Sequence, residues 1–452
     1  MKSASLALGP VTLIPLTPLM LFACLWLTTA PSYVQAEPLP KKPASNLSEE
    51  LSDEWTDDWQ DAPKASPWQI SHFIEVAYGH FIENNVVEST SALKEARGRI
   101  NIDYSHKLFE LNAKGDILYD GVLEKSLFQT RELNIAFSPL NNLDVKLGRQ
   151  VLTWGTGDYV FLNDLFTKDW QSFFSGRDDE YLKAASDSVR LTSYWGKFTL
   201  DLAYTPEFSP DQYINGERFS FYSPVAKANI APAEFFVVDQ TKDAQFSARL
   251  ATTIQGVEYA LYGYKGAWTT PLGVNEQGLP YFPKMNAWGA SALTPMSNGI
   301  FKFEFSYYNS IEDQHGNKAN IPNSQIRALV GYEQEIVKNL SLGLQYYVEK
   351  TQQYEAFTES NWFADEQVDE FRQLATARLR YSTMQQKLIY SLFAFYSPTD
   401  QDSYLKPSIS FRYDDSFSFS AGANIFSGQK SYSFFGQHQE NSNVWLRVRF
   451  SF

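Results

Sequence analysis

The chain is 452 residues long with a formal net charge of −14, and 16% of its residues are aromatic. The acidic balance argues against nucleic acid as a partner. Past residue 36 no apolar run approaches the length of a membrane helix, yet short alternating runs occur throughout, so a membrane-spanning form of this chain has to be a closed barrel.

In chain order, Lys2 supplies a short positive start, residues 11–30 are almost wholly apolar, and Val34-Gln35-Ala36 stand before Glu37 as a small-residue cleavage signal. The pattern predicts a secretory signal peptide over 1–36, cut after Ala36. A retained anchor is the weaker reading, because Pro15 and Pro18 interrupt the run. The only cysteine, Cys24, lies inside this segment, which leaves the mature chain without a disulfide or a thiolate metal site. Residues 37–66 are acidic and proline-bearing and read as a solvated extension on the periplasmic side, with Trp55 and Trp59 four apart.

From residue 67 to 452 the dominant signal has period two. Phe301, Phe303, Phe305 and Tyr307 share one face against Lys302, Glu304 and Ser306. Leu340, Leu342, Leu344 and Tyr346 oppose Ser341, Gly343 and Gln345, and Phe198, Leu200, Leu202 and Tyr204 oppose Thr199 and Asp201. Tight links fall at 106–107, 139–142, 196–197, 255–256, 295–299, 336–339, 384–386 and 415–416; longer polar stretches fall between them, notably 153–187 and 206–243. Short turns at one rim and long loops at the other predict an all-β, antiparallel, up-and-down transmembrane β-barrel of about 18 strands (about 16–18), with loops 153–187 and 206–243 extracellular. A barrel so wide exceeds what its own side chains can fill and should enclose water. Tyr78, Tyr104, Trp195, Tyr204, Tyr259, Tyr332, Tyr381, Tyr396 and Tyr413, near strand ends, suit interfacial girdles.

The face opposite the apolar one is expected to line the pore. Its arginines are Arg97, Arg99, Arg190, Arg249, Arg327, Arg378, Arg380, Arg412, Arg447 and Arg449. Several come from strands near the seam where the last strand meets the first, and a basic stripe there would concentrate anions; mutual pairing with carboxylates is the competing reading. The loop after the fifth expected strand offers Asp158, Asp164, Asp169, Asp178, Asp179 and Glu180. Folded inward it would form a constriction, and folded outward a cap. Parity with Leu143, Val145 and Leu147 turns Arg149 outward, which a rim position tolerates; a bulge at Gly148 would turn it inward. Trp154 is expected at the membrane interface.

Catalytic chemistry finds little support. The five histidines, His72, His80, His106, His315 and His438, have no metal-site spacing, no G-x-S-x-G segment occurs, and "WGTGDYV" lacks the spacing of a nucleotide loop. No metal and no cofactor are expected.

The ending "NVWLRVRFSF" alternates and closes on Phe452, which resembles the terminal strand of bacterial outer-membrane proteins. Gly148, Arg149, Gln150, Trp154 and Gly155 at a strand end, with Asn163 and Asp164 beyond, resemble a motif of a poorly characterised group of bacterial outer-membrane barrels. The long loop after the fifth strand is similar in placement to the constriction loop of general porins. These resemblances imply an outer-membrane porin or channel for small hydrophilic solutes, anion-favouring if the stripe is real, surrounded by outer-membrane lipids and not an enzyme. A transport or export barrel for an apolar, lipid-like molecule, and a scaffold holding a periplasmic partner through residues 37–66, remain alternatives, and self-association into a homo-oligomer stays open.

Overall fold

A computed structural model describes residues 66–232, 242–360, 366 and 368–452. The expected signal peptide, nearly all of the 37–66 extension and part of loop 206–243 lie outside the described residues.

Eighteen strands make the wall. The first nine are β1 (Trp68–Phe81), β2 (Leu93–Ser105), β3 (Glu110–Asp120), β4 (Lys125–Leu140), β5 (Leu143–Val151), β6 (Ala185–Trp195), β7 (Phe198–Thr205), β8 (Gln245–Ile254) and β9 (Val257–Ala267). The second nine are β10 (Lys284–Met296), β11 (Gly299–Ser310), β12 (Gln325–Val337), β13 (Leu340–Thr351), β14 (Phe371–Thr383), β15 (Leu388–Ser397), β16 (Asp402–Arg412), β17 (Phe417–Gly428) and β18 (Asn443–Ser451). Each pairs antiparallel with its neighbours in sequence, and β18 closes on β1 with Phe73–Phe81 against Asn443–Ser451. The expected antiparallel transmembrane barrel is the one observed, with the eight short turns at one rim where the sequence placed them. The β8–β9 turn shows the local chemistry: Gln255 and Gly256 both have positive φ, the form whose twist matches a two-residue hairpin.

The two faces separate cleanly. On β1, Phe73, Glu75, Ala77 and Phe81 are buried inside while Ile74, Val76 and Tyr78 are exposed outside. Ile100, Ile117, Leu261, Leu344 and Leu446 continue this outward apolar belt. Trp68 packs on Tyr104 at 4.4 Å and Tyr381 stacks on Tyr390 at 6.3 Å near the short-turn rim; Tyr78, Tyr204 and Tyr396 lie near the other. The last residue is tied in as well: the Phe452 amide donates to the His72 carbonyl at 3.1 Å and the two rings meet edge to face.

Strand number alone implies an aqueous lumen, and into its long-loop half the chain itself folds. Val160, Leu162, Phe173, Phe174 and Leu182 from the loop between β5 and β6, with Phe219 from the next long loop, pack on inward-facing Phe393, Phe395, Tyr404 and Phe426. That loop spans 152–184, because β6 starts at Ala185 and its Asp187 is held in the ladder opposite Arg149. Replacing outward-facing Leu261 by arginine should cost roughly 2–4 kcal/mol of stability in a bilayer if the site lies near the midplane. Urea titration of the reconstituted barrel reads this out, with Leu261→Phe near neutral; equal stability of both variants would contradict the assigned outward face.

Candidate functional site: a loop folded into the lumen

The loop after β5 turns inward at once. Gly155 has φ +84, and a side-chain carbon on Gly157 would stand 2.3 Å from the Val160 carbonyl oxygen, so both positions require glycine. The turn presents backbone N–H groups to Glu304 on β11: Thr156 donates through its amide and hydroxyl, and the Gly157 amide donates at 2.8 Å. Asn163 adds its side-chain amide at 2.9 Å. "WGTG" is therefore an anion nest of the kind that binds phosphates elsewhere, occupied here by a carboxylate of the facing wall. Trp154 does not sit at the membrane interface. Its ring turns inward against Phe166 and the inward-facing Tyr262, because the chain leaves the sheet on the lumen side.

Asp158 crosses to the far wall, accepting from Lys302 at 2.7 Å and Arg378 at 3.1 Å, while its amide donates to Gln345 at 2.8 Å. A short helix, α1 (Trp170–Ser175), follows. Asp169 caps it by accepting from the Ser172 amide at 2.8 Å, and Gly176 ends it at φ +88. Phe173 and Phe174 bury against Tyr404 and Phe426, and Asn424 and Asn443 each donate to the Phe174 carbonyl at 2.9 Å. These bonds satisfy an otherwise orphaned carbonyl at the helix end.

Next comes an acidic triplet whose members fan out to three strands. Asp178 reaches Arg447 and Arg449 on β18, at 3.4 and 3.2 Å. Asp179 binds Lys406 on β16 at 2.5 Å, and Glu180 pairs with Arg99 on β2. Burial by itself would raise the Asp179 carboxyl, but Lys406 and the Tyr159 hydroxyl outweigh it and hold its pKa below the ordinary value. Burial and the neighbouring Asp179 push the Tyr159 phenol well up. Arg177 completes the anchor on Glu95, at 2.8 and 3.1 Å.

Of the six loop carboxylates named from sequence, Asp158, Asp178, Asp179 and Glu180 touch cations of the wall, whereas Asp164 pairs with Lys168 inside the loop and Asp169 caps α1. The wall charges are also largely compensated. Arg97 and Arg99 share Asp116, Arg447 and Arg449 share Glu75, Arg190 binds Asp201 and Arg249 binds Glu258. Arg327 binds Glu349, and Arg378 also binds Glu333. Only Arg380 and Arg412, of the ten arginines, form no ion pair among the described residues. Both sit on a wall of small side chains: Arg380 pairs across the sheet with Ser341 and Ser391, and Ser408, Ser410, Ser418 and Ser420 share the inward face beside Arg412.

At the strand-end motif, Gly148 has φ +113, and Leu133 and Asp187 flank Arg149 on the outward face, with Arg149 paired to Asp187 at 3.1 Å. Gln150 points inward, buried, and donates to the Ser188 carbonyl at 3.1 Å. The wall partners Glu304, Lys406, Asn424 and Asn443 were invisible as a set in the sequence, since each is one alternating residue among many.

No protein-family model matches the sequence, and no curated protein does. Solved structures share its architecture. OccD3 (OpdP) of Pseudomonas aeruginosa superposes with a TM-score of 0.52 at 10% identity, over 85% of this chain and 90% of that one. OccK11 (OpdR) of the same organism gives 0.51 at 9% identity, covering 85% and 95%. OccAB3 of Acinetobacter baumannii gives 0.50 at 10%, covering 85% and 99%. The likeness is one of fold.

The mouth above the loop is latched by His438. Its ring packs on Phe174 and Phe426 and its Nδ1 meets the Asn441 side-chain amide at 3.0 Å; Asn441 also donates to the Ser220 carbonyl at 2.8 Å, tying two long loops together. Burial holds the imidazole down to about 4. A pKa depressed in the folded state means that neutral His438 fits and charged His438 does not. The latch is at full strength above the ordinary value near 6.5 and weakens as pH falls from there toward 4, by ~2 kcal/mol at pH 5. Hydrogen exchange over 429–442 should accelerate from pH 7.5 to 5 after correction for intrinsic rates, and His438→Gln should flatten that trend; protection independent of pH would contradict it.

Proposed function

We propose that the protein is an outer-membrane channel passing small hydrophilic solutes, favouring anions, and narrowed by loop 152–184. It performs no chemistry and needs no cofactor. The observation that carries this reading is the serine- and glycine-rich inward wall below the loop, where Arg380 and Arg412 stand without carboxylate partners among the described residues. Small polar side chains leave room for water, and unpaired cations beside a low-dielectric wall raise the local anion concentration. The Asp158, Asp178, Asp179 and Glu180 contacts hold the loop across the passage, so conductance should be small for a barrel of this size.

Single-channel recording in planar bilayers tests the reading. The wild type should conduct steadily, and deletion of 156–181 should raise conductance several-fold. Arg380→Glu with Arg412→Glu should move the reversal potential in a salt gradient toward cation preference. Absence of conductance in both the wild type and the loop deletion would remove the channel reading; unchanged selectivity in the double variant would remove the anion preference alone.

A further inference from the structure

Between β4 and β5 the ladder stops short over a long stretch. β4 pairs with β5 only from Leu133 to Leu140, against Leu143–Arg149. The upper part of β4, Lys125–Glu132, pairs with β3 alone, because β5 ends at Val151 and the chain turns into the lumen. Arg131 is the extra residue of a bulge in this stretch, between the pairs Lys114–Glu132 and Gly115–Thr130. Its guanidinium spans the gap, donating to the carbonyls of Glu180 at 3.0 Å and Lys183 at 3.1 Å, and rests 4.8 Å from the Tyr181 ring centre.

A cavity of about 350 Å³ occupies the gap. Its lining comes from both sides of the sheet: Phe128, Thr130 and Arg149 belong to the outward face, whereas Ser172, Arg177 and Tyr181 belong to the loop inside the lumen. A cavity lined from both faces lies within the wall itself, at the gap. Outside, it opens among apolar side chains: Phe128 stands opposite Ile117, and both are more than 60% exposed, with Leu133 below. Its polar lining carries three arginines: Arg149 on the outward side, paired with Asp187; Arg131 in the gap; and Arg177 on the lumen side, paired with Glu95. The Nε atoms of Arg131 and Arg149 are buried without a hydrogen-bond partner. The one carboxylate in the lining, Asp169, is already held by Ser172.

An open sheet edge at the level of an apolar belt is costly in lipid unless polar groups cover it. An apolar outer mouth, an unpaired edge and spare arginine donors together fit a molecule with an anionic head and a hydrocarbon tail. We propose that the β4–β5 gap is a lateral binding site for an anionic amphiphile of the membrane. Its phosphate or carboxylate head sits between Arg131 and Arg149, and its tail lies along Phe128, Ile117 and Leu133.

The test uses the full mature protein in nanodiscs of neutral phosphatidylcholine, with radiolabelled dodecyl phosphate as probe. Saturable binding at one site per barrel is expected. The double variant Arg131→Gln, Arg149→Gln should weaken it about tenfold or more, since charge-assisted hydrogen bonds to the head are lost. Thr130→Trp, which fills the outer mouth and keeps both arginines, should weaken it too, and Lys197→Gln at a distant turn should not. Inorganic phosphate should compete only weakly. Competition by inorganic phosphate equal to that of dodecyl phosphate would overturn the membrane source in favour of a soluble anion. Non-saturable binding, or binding that both gap variants leave unchanged, would overturn the site.

Discussion

Lipid accepts no unpaired backbone, and everything else in this molecule follows from that constraint. It requires the sheet to close, which β18 does on β1, and closure of eighteen strands makes a tube wider than its own inward side chains can fill. The remaining volume must hold water or chain. In the long-loop half it holds chain, and the residues that fasten that chain are the ones that give the lumen its chemistry.

The fastening is electrostatic at its edges and aromatic at its centre. Phe173 and Phe174 bring an apolar core into a polar tube, where they meet Tyr404, Phe426 and Phe395. Around that core, Asp158, Asp178, Asp179 and Glu180 each reach a cation on a different part of the wall. In these pairs the wall cations are mostly buried while the loop carboxylates stay part-exposed, so they contribute as much to holding one arrangement as to net stability. Their consequence for the lumen is subtraction. Once Arg99, Arg378, Arg447 and Arg449 are matched, Arg380 and Arg412 are the two of the ten wall arginines left without an ion pair among the described residues.

The barrel itself was legible from the sequence to a degree that the lumen was not. Alternation in "FKFEFSYY" fixes both faces of β11, and the switch between tight links and long stretches fixes strand order, because both signals are local. What the loops do is not local. Nothing in "WGTGDYV" says that its amides will meet Glu304 nearly 150 positions later, nor does "FSFSAGANIF" mark Asn424 as a cap for α1. Trp154 is the instructive miss: a tryptophan at a strand end ordinarily marks an interface, but here the strand ends by diving inward and takes the ring with it. Arg149 followed the expected parity, since the ladder on both sides of β5 fixes which way it points.

The acidic triplet has a further implication, for assembly. Asp178 binds the last strand, Asp179 the antepenultimate and Glu180 the second. Strands β2 and β18 are separated in space only by β1, yet they stand at opposite ends of the chain, and before the tube shuts they are far apart. The three contacts therefore cannot coexist in an open sheet. Docking of the loop must follow the meeting of the two ends, so a docked loop is itself a record that the barrel has finished forming.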